Sequence, residues 1–134
     1  MKDMGEVRIK VVAMPNNTNS SGNIFGGWIL SQIDSAGAIA AREVAPERVV
    51  TISMKEVTFK EPVYIGDLLS CYAKIIKVGK TSITTSIEVV VERLTHEKRK
   101  VCLHVTSAEA TYVSVDRIGN KKEIDPELKK LHGF

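Results

Sequence analysis

Two periods run through the chain, and only one stretch carries the longer of them. Between Ser21 and Arg42, the residues Ile29, Leu30, Ile33, Ala36, Gly37 and Ala40 recur at the spacing of one helix face. Gly26 and Gly27 stand where that helix begins, and Pro46 lies just past its end. The spacing predicts a helix over 27–42, roughly 24 Å long at 1.5 Å per residue. Elsewhere the alternation is that of strands. Val7, Ile9, Val11 and Ala13 line one side of a strand over 6–13. A second strand is expected over 49–60, with a parity change after Met54 that suggests a bulge near Lys55-Glu56. Three more follow over 68–77, 81–94 and 101–115. In the last, the apolar positions pass from odd (Val101, Leu103, Val105) to even (Ala108, Ala110, Tyr112), which predicts a second bulge.

The segments between are short and rich in turn formers. Met14 to Asn23 has no period and reads as a loop into the helix, its Asn and Ser side chains fixing its shape. Glu61-Pro62 and Gly66-Asp67 bracket a turn, and Val78-Gly79-Lys80 is a tight connection. Asp125-Pro126 opens a short amphipathic helix, with Asp125 as its cap and little to add to the core. Short connections among the last four strands imply an antiparallel meander. One apolar helix and one long curved sheet then bury each other's faces, an α+β architecture. Gly37 fits this: a mid-helix glycine costs about 1 kcal/mol against alanine, tolerable where a sheet wraps closely. Exposed sheet edges favour pairing of two copies.

Composition narrows the classes. At 134 residues, with 43% hydrophobic and 26% charged, the chain suits one domain over 1–134, its core at about 6–116 and a short polar tail. No apolar run approaches the ~20 residues of a membrane helix, and no apolar signal core follows the first residues, so a cytoplasmic location is expected. A net charge of +3 and few aromatics argue against nucleic acid. The basic runs 98–100, 121–122 and 129–130 read as solvated turns and tails. Cys71 and Cys102 show no metal-ligand spacing and are expected as buried, reduced thiols.

The helix itself carries the candidate chemistry. Two glycines at its start bare backbone N–H groups that suit an oxyanion or a polarised carbonyl. Asp34 follows two turns on, among small and apolar residues, where a carboxylate is expensive unless paired or used. The plainer alternative places it on a solvated stripe with Gln32 and Ser35. No G-x-S-x-G marks a nucleophilic serine. His96, His104 and His132 fall in a turn, a strand and a tail, and His104 reads as an ordinary strand residue.

These residues also resemble a known family. Met14-Pro15, Thr18-Asn19, Gly22, Ile24-Phe25-Gly26-Gly27-Trp28-Ile29, Ser31-Gln32 and Asp34 look like the signature of hotdog-fold acyl-CoA thioesterases, in particular the bacterial YciA type. Val49-Val50-Thr51, Phe59, Pro62-Val63, Gly66-Asp67, Cys71-Tyr72 and Tyr112 to Asp116 extend the likeness over about residues 7–118. The resemblance implies a curved five-stranded antiparallel sheet around one long helix, dimers that often form a hexamer of three, and active sites at the dimer interface. It implies an acyl-CoA substrate and no cofactor. It gives Gly27 and Gly26 the task of polarising the thioester oxygen, and Asp34 from the facing protomer that of nucleophile or general base. Where YciA-type sequences usually carry Gly-Asp, this chain has Gly22-Asn23; Asn23 orients water or the carbonyl but is no second base.

Coenzyme A adds a diphosphate and a 3′-phosphate, which call for Lys or Arg. Lys80 is the first candidate, with Arg93, Lys60 and Arg99 behind it, each against the alternative of a solvated surface charge. A strand edge at Val78, Gly79, Lys80, Thr81 and Ser82 would hydrogen-bond the pantetheine arm as an added strand does, and Phe59 joins the substrate-binding set. Two other readings compete: an acyl-CoA sensor without catalysis, which has no need of Asp34, and a 3-hydroxyacyl-thioester dehydratase, which generally employs a His with a carboxylate.

Overall fold

The alternating stretches form five strands and the helical stretch one long helix, in a computed structural model that describes residues 3–134. In chain order these are β1 (Glu6–Val12), α1 (Gly26–Ala41), β2 (Val49–Lys55), β3 (Leu68–Val78), β4 (Ser82–Leu94), β5 (Lys100–Ser114) and the short α2 (Pro126–Leu131). A single 3-10 turn, Pro15–Asn17, interrupts the loop before α1. The sheet is antiparallel throughout, in the order β1-β3-β4-β5-β2.

That order corrects the expected meander. Only β3, β4 and β5 follow one another across the sheet; β2 pairs with β5 and β1 with β3, so β1 and β2 are the edges. The cause lies in residues 56–67. Glu56 has φ +61°, which turns the chain out of the sheet at Lys55. The parity change there is therefore the end of a strand and not a bulge, and β2 has its own irregularity at Ile52 instead. The chain then crosses the end of the fold. Lys60 N–H donates to Val105 O (2.8 Å), Ile24 N–H to Val63 O (2.9 Å) and Ala13 N–H to Asp67 O (2.9 Å). Each bond satisfies a backbone group that a buried crossing would otherwise orphan.

The bulge expected in β5 is present. Val89 faces Thr106 and Val90 faces His104, which leaves Val105 as the extra residue. Both Val105 and Thr106 are fully buried, so the parity shift keeps apolar and hydrogen-bonded positions on the core side. A register shift at Arg8 turns Val7 outward, contrary to the single apolar side expected for β1.

The core lies between α1 and one sheet face. Ile29, Ile33, Ala36, Ala40 and Ala41 pack on Leu69, Cys71, Ala73, Ile83, Ile87 and Val89. Complete burial of a side chain such as Ile33 contributes about 1.5–3 kcal/mol. Burial pushes the Cys71 thiol up to about 12, which keeps it protonated and inert. Cys102, expected to be buried, is exposed, because it falls on the outward side of β5. Asp125 caps α2 by accepting from Glu127 N–H (2.9 Å), and α2 buries no residue of its own. No helix among the described residues is long and apolar enough to cross a membrane.

Gly37 marks the closest approach of helix and sheet. A Cβ there would fall on the Tyr112 hydroxyl and lie 3.0 Å from Thr85 Oγ1. Gly37→Ala gains about 1 kcal/mol of helix propensity but overpacks a filled core at about 1–3 kcal/mol. The expected outcome is a net loss of stability, read as a lower midpoint in thermal or urea unfolding.

Candidate active site

The loop into α1 is held by its own side chains. Asn19 Oδ1 accepts from Ser21 N–H (2.9 Å) and Asn23 N–H (3.2 Å), and Thr18 Oγ1 donates to Pro15 O (2.9 Å). Phe25 N–H donates to Asn17 O (2.8 Å), which delivers the chain to the helix start. Phe25 occupies the capping position and offers no side-chain acceptor. The N–H groups of Gly26 and Gly27 therefore lack both a helical partner and a cap, at the positive end of the helix dipole. The glycines also make room for two half-exposed aromatics. A Cβ on Gly27 would lie 2.6 Å from the Phe25 ring, and one on Gly26 would touch the Phe59 ring at 3.5 Å. Asn19, Asn23, Gly26, Ile29 and Phe59 are among the walls of a cavity of about 180 Å³ beside this entry.

Asp34 is half-buried and engaged, not part of a free solvated stripe. Its Oδ1 accepts from Thr51 Oγ1 on β2 (2.7 Å) and from the Tyr112 hydroxyl on β5 (3.2 Å). The one phenol proton is shared with the nearer Asp34 carbonyl oxygen (2.7 Å), a bifurcated bond. Among the described residues no donor reaches Oδ2. Burial, first, and the Asp34 charge beside it hold the Tyr112 phenol far above its ordinary range, so it stays a donor. Neither Thr51 nor Tyr112 was singled out as an Asp34 partner from sequence. The signal for Tyr112 was present in Gly37, a helix glycine one turn from the carboxylate; Thr51 gave none.

The expected residues divide into two groups. Asn23, Gly26, Gly27 and Phe59 gather at the start of α1. The hairpin of Val78, Gly79, Lys80, Thr81 and Ser82 belongs with Asp34 further along, because Thr51, Tyr112 and Ile83 stand in one row across β2, β5 and β4. Gly27 and Asp34 are seven residues apart on one helix, about 10 Å of rise.

Two expectations are corrected. Val78 to Ser82 is not a sheet edge but the turn between two inner strands, and its backbone is largely taken. Gly79 N–H donates to Ser82 O (2.8 Å), Ser114 N–H to Thr81 O (2.8 Å) and Ile124 N–H to Lys80 O (2.9 Å). It has no open edge for an added strand, while the Lys80 side chain stays exposed. Arg93 is not a free cation for phosphate. It grips Asp67 with two bonds (2.9 and 2.7 Å), donates to Pro62 O (3.1 Å) and lies 4.3 Å over the Tyr64 ring. The carboxylate raises its already high pKa, and the pair clamps the crossing connection.

His104 meets Glu88 (2.7 Å) and Ser107 (3.2 Å) on the sheet face turned away from α1. Both contacts use Nε2, whereas a hydrolytic relay needs the carboxylate and the serine on opposite ring nitrogens. Among the described residues no group of three or more His, Cys, Asp or Glu converges as a metal site.

This geometry has close counterparts. The family described as "Thioesterase superfamily" matches residues 21–97, a span that holds the helix entry, Asp34 and Lys80. The acyl-CoA thioester hydrolase YciA of Escherichia coli is 41% identical over 123 residues, covering 92% of this chain and 93% of that one. The hexameric hotdog-fold thioesterase Cj0915 of Campylobacter jejuni is 62% identical with a TM-score of 0.96, over 99% of this chain and 100% of that one. HI0827, a hexameric broad-specificity acyl-coenzyme A thioesterase, is 38% identical with a TM-score of 0.88, over 96% and 88%. The arrangement of one long helix on a five-stranded antiparallel sheet is thus the hotdog fold. On these matches the chain belongs to the thioesterase superfamily, within its YciA-type acyl-CoA thioester hydrolases.

Proposed function

We propose that this protein hydrolyses acyl-CoA to a free carboxylic acid and coenzyme A, in active sites assembled from two copies of the chain. One observation carries the reading. The bare N–H groups at Gly27 and the carboxylate of Asp34 sit on one helix with about 10 Å of rise between them. A single carbonyl group needs both within about 3 Å of its own atoms. Two copies meeting beside Asp34 satisfy that need, and the edge strand β2, whose Thr51 holds the carboxylate, lies at that point. Pairing also covers the open edge. The relatives named as hexameric support three such pairs.

In this arrangement the Gly26 and Gly27 N–H groups of one copy take the charge that develops on the thioester oxygen. Asp34 of the other copy attacks the carbonyl carbon or removes a proton from water that attacks it. In direct attack the carbon–sulfur bond breaks to leave a mixed anhydride on Asp34, which water then hydrolyses; in the general-base route the water oxygen enters the acid at once; in both the thiolate leaves and takes up a proton. Asn23 orients the water or the carbonyl. Phe59 packs against the substrate beside Gly26. The hairpin at Val78 to Ser82 lies at the Asp34 end and offers Lys80 to the phosphates of coenzyme A. Carboxylate, water and backbone dipoles supply all the chemistry, so no cofactor is required, and the reaction is a cytoplasmic one. A sensor without catalysis leaves the two donors on Asp34 without a purpose, and a dehydratase lacks its His at this helix.

Asp34→Asn keeps the fold and lowers kcat by about 1,000-fold or more, as loss of a nucleophile or base does. Release of free thiol from a short acyl-CoA measures it, and near-normal turnover in the variant would remove Asp34 from the reaction. Oxygen-18 from water entering Asp34 in a single turnover distinguishes direct attack from general-base catalysis. Shared sites predict complementation: co-assembled Asp34→Asn and Gly27→Val chains recover activity, at roughly a quarter of the wild-type rate for random pairing of two-fold dimers. No recovery, with mixed oligomers demonstrated, places the whole site in one chain. Lys80→Ala raises KM for acyl-CoA about 10-fold and flattens its dependence on salt, with kcat little changed; an unaltered salt dependence removes Lys80 from phosphate binding.

A further inference from the structure

We propose that Tyr112 is a positioning residue for this reaction: its hydroxyl locks the Asp34 carboxylate so that Oδ2 alone faces the thioester. The inference rests on the role given to Asp34 above.

The geometry is unusual in where its two donors go. Thr51 Oγ1 (2.7 Å) and the Tyr112 hydroxyl (3.2 Å) both meet Oδ1, and the hydroxyl also meets the carbonyl oxygen of the same residue (2.7 Å). One donor that spans main chain and side chain of a single residue fixes χ1 of that residue. An aspartate on a helix surface otherwise samples several rotamers. Here the ordering is completed during folding and is not repeated at each turnover. With both donors on Oδ1, the lone pairs of Oδ2 have no donor among the described residues, which leaves them free for attack on carbon or on a water proton.

The two donors differ in rigidity. Thr51 is exposed on an edge strand; Tyr112 is fully buried on an inner one. The Tyr112 ring packs in the core under α1, and its hydroxyl reaches Asp34 only because Gly37 has no side chain. A site held from the core keeps its aim when the surface moves. Burial, first, and the carboxylate it donates to hold the phenol protonated, against the smaller opposing pull of the Ala38 backbone N–H on the same oxygen.

The experiment is a double-mutant cycle on kcat. Tyr112→Phe keeps the ring and removes the hydroxyl, and thermal unfolding verifies the fold. The expected result is a fall in kcat of about 10- to 100-fold, the worth of one bond to a charged group, with KM within about twofold. In an Asp34→Asn background the same change leaves the residual rate unaltered. A merely structural role lowers the rate equally in both backgrounds, or raises KM, and overturns the proposal. So does an unchanged kcat in Tyr112→Phe. Fluorotyrosines at 112 keep the ring and grade the strength of the donor, so they serve even where Tyr112→Phe does not fold. Under the proposal kcat follows the grading while KM stays flat; a flat kcat overturns it. Wild-type turnover in Asp34→Asn alone overturns the underlying reading instead, and the two failures are told apart by that variant.

Discussion

The contact on which the rest depends is the insertion of the Tyr112 hydroxyl beneath α1, in the space that Gly37 leaves. It is a packing constraint and a polar one together. A side chain at position 37 would hold the helix off the sheet, and the apolar face of α1 would lose part of its contact with Ile83, Ile87 and their neighbours. The hydroxyl also needs a partner in a site this deep, because an unpaired phenol costs as much as a lost hydrogen bond. Asp34 supplies two acceptors for the hydroxyl's one proton, the carbonyl oxygen and Oδ1. The carboxylate is thereby tied to the inner strand β5, through Thr51 to the edge strand β2, and through the helix backbone to the core. Three elements agree on where one oxygen points.

A second set of bonds builds the other half of the site. The crossing connection over 56–67 brings Phe59 to Gly26 and Val63 to Ile24, so the helix start is walled by chain that belongs to neither neighbouring element. Arg93 secures that connection from β4. Its two bonds to the buried Asp67, its bond to Pro62 O and its place over the Tyr64 ring hold the guanidinium against that connection. A buried carboxylate needs such a partner, since removal of the cation would strand the charge. The charge that looked available for substrate is used to hold the entry loop in place.

What was legible in the chain follows from which signals are local. The long helix, the alternation of β3, β4 and β5, the bulge at Val105 and the Asp125 cap each depend on residues a few positions apart, and each appears. The place of β2 beside β5 depends on residues 56–67, whose turn out of the sheet begins at one left-handed backbone angle on Glu56, a residue with no preference for it. An alternation of apolar residues through Val57 and Phe59 hid that break. The candidate site was readable where the helix displayed it, at Gly26, Gly27 and Asp34. It was not readable where a strand supplied the partner, because Thr51 lies seventeen positions from Asp34 and Tyr112 seventy-eight. Lys80 stood ahead of Arg93 as a phosphate ligand only for its place beside Gly79, and the Asp67 that occupies Arg93 gave no sign in the sequence.

The length of α1 links these points to assembly. A rigid helix with about 1.5 Å of rise per residue cannot fold back to bring its start to its own middle. In the function proposed above, the donors at Gly26 and Gly27 and the carboxylate at Asp34 therefore act on a substrate that lies between two helices. The edge strand β2 presents an unpaired row of backbone groups immediately beside Asp34. In the assembly proposed above, the pairing that hides this row is also what completes the chemistry. Edge protection and catalysis then make one demand on the chain, and a mutation that loosens β2 acts on both. On that proposal the reaction would call for no histidine, since a carboxylate and bare amide dipoles would stand on either side of the thioester carbonyl.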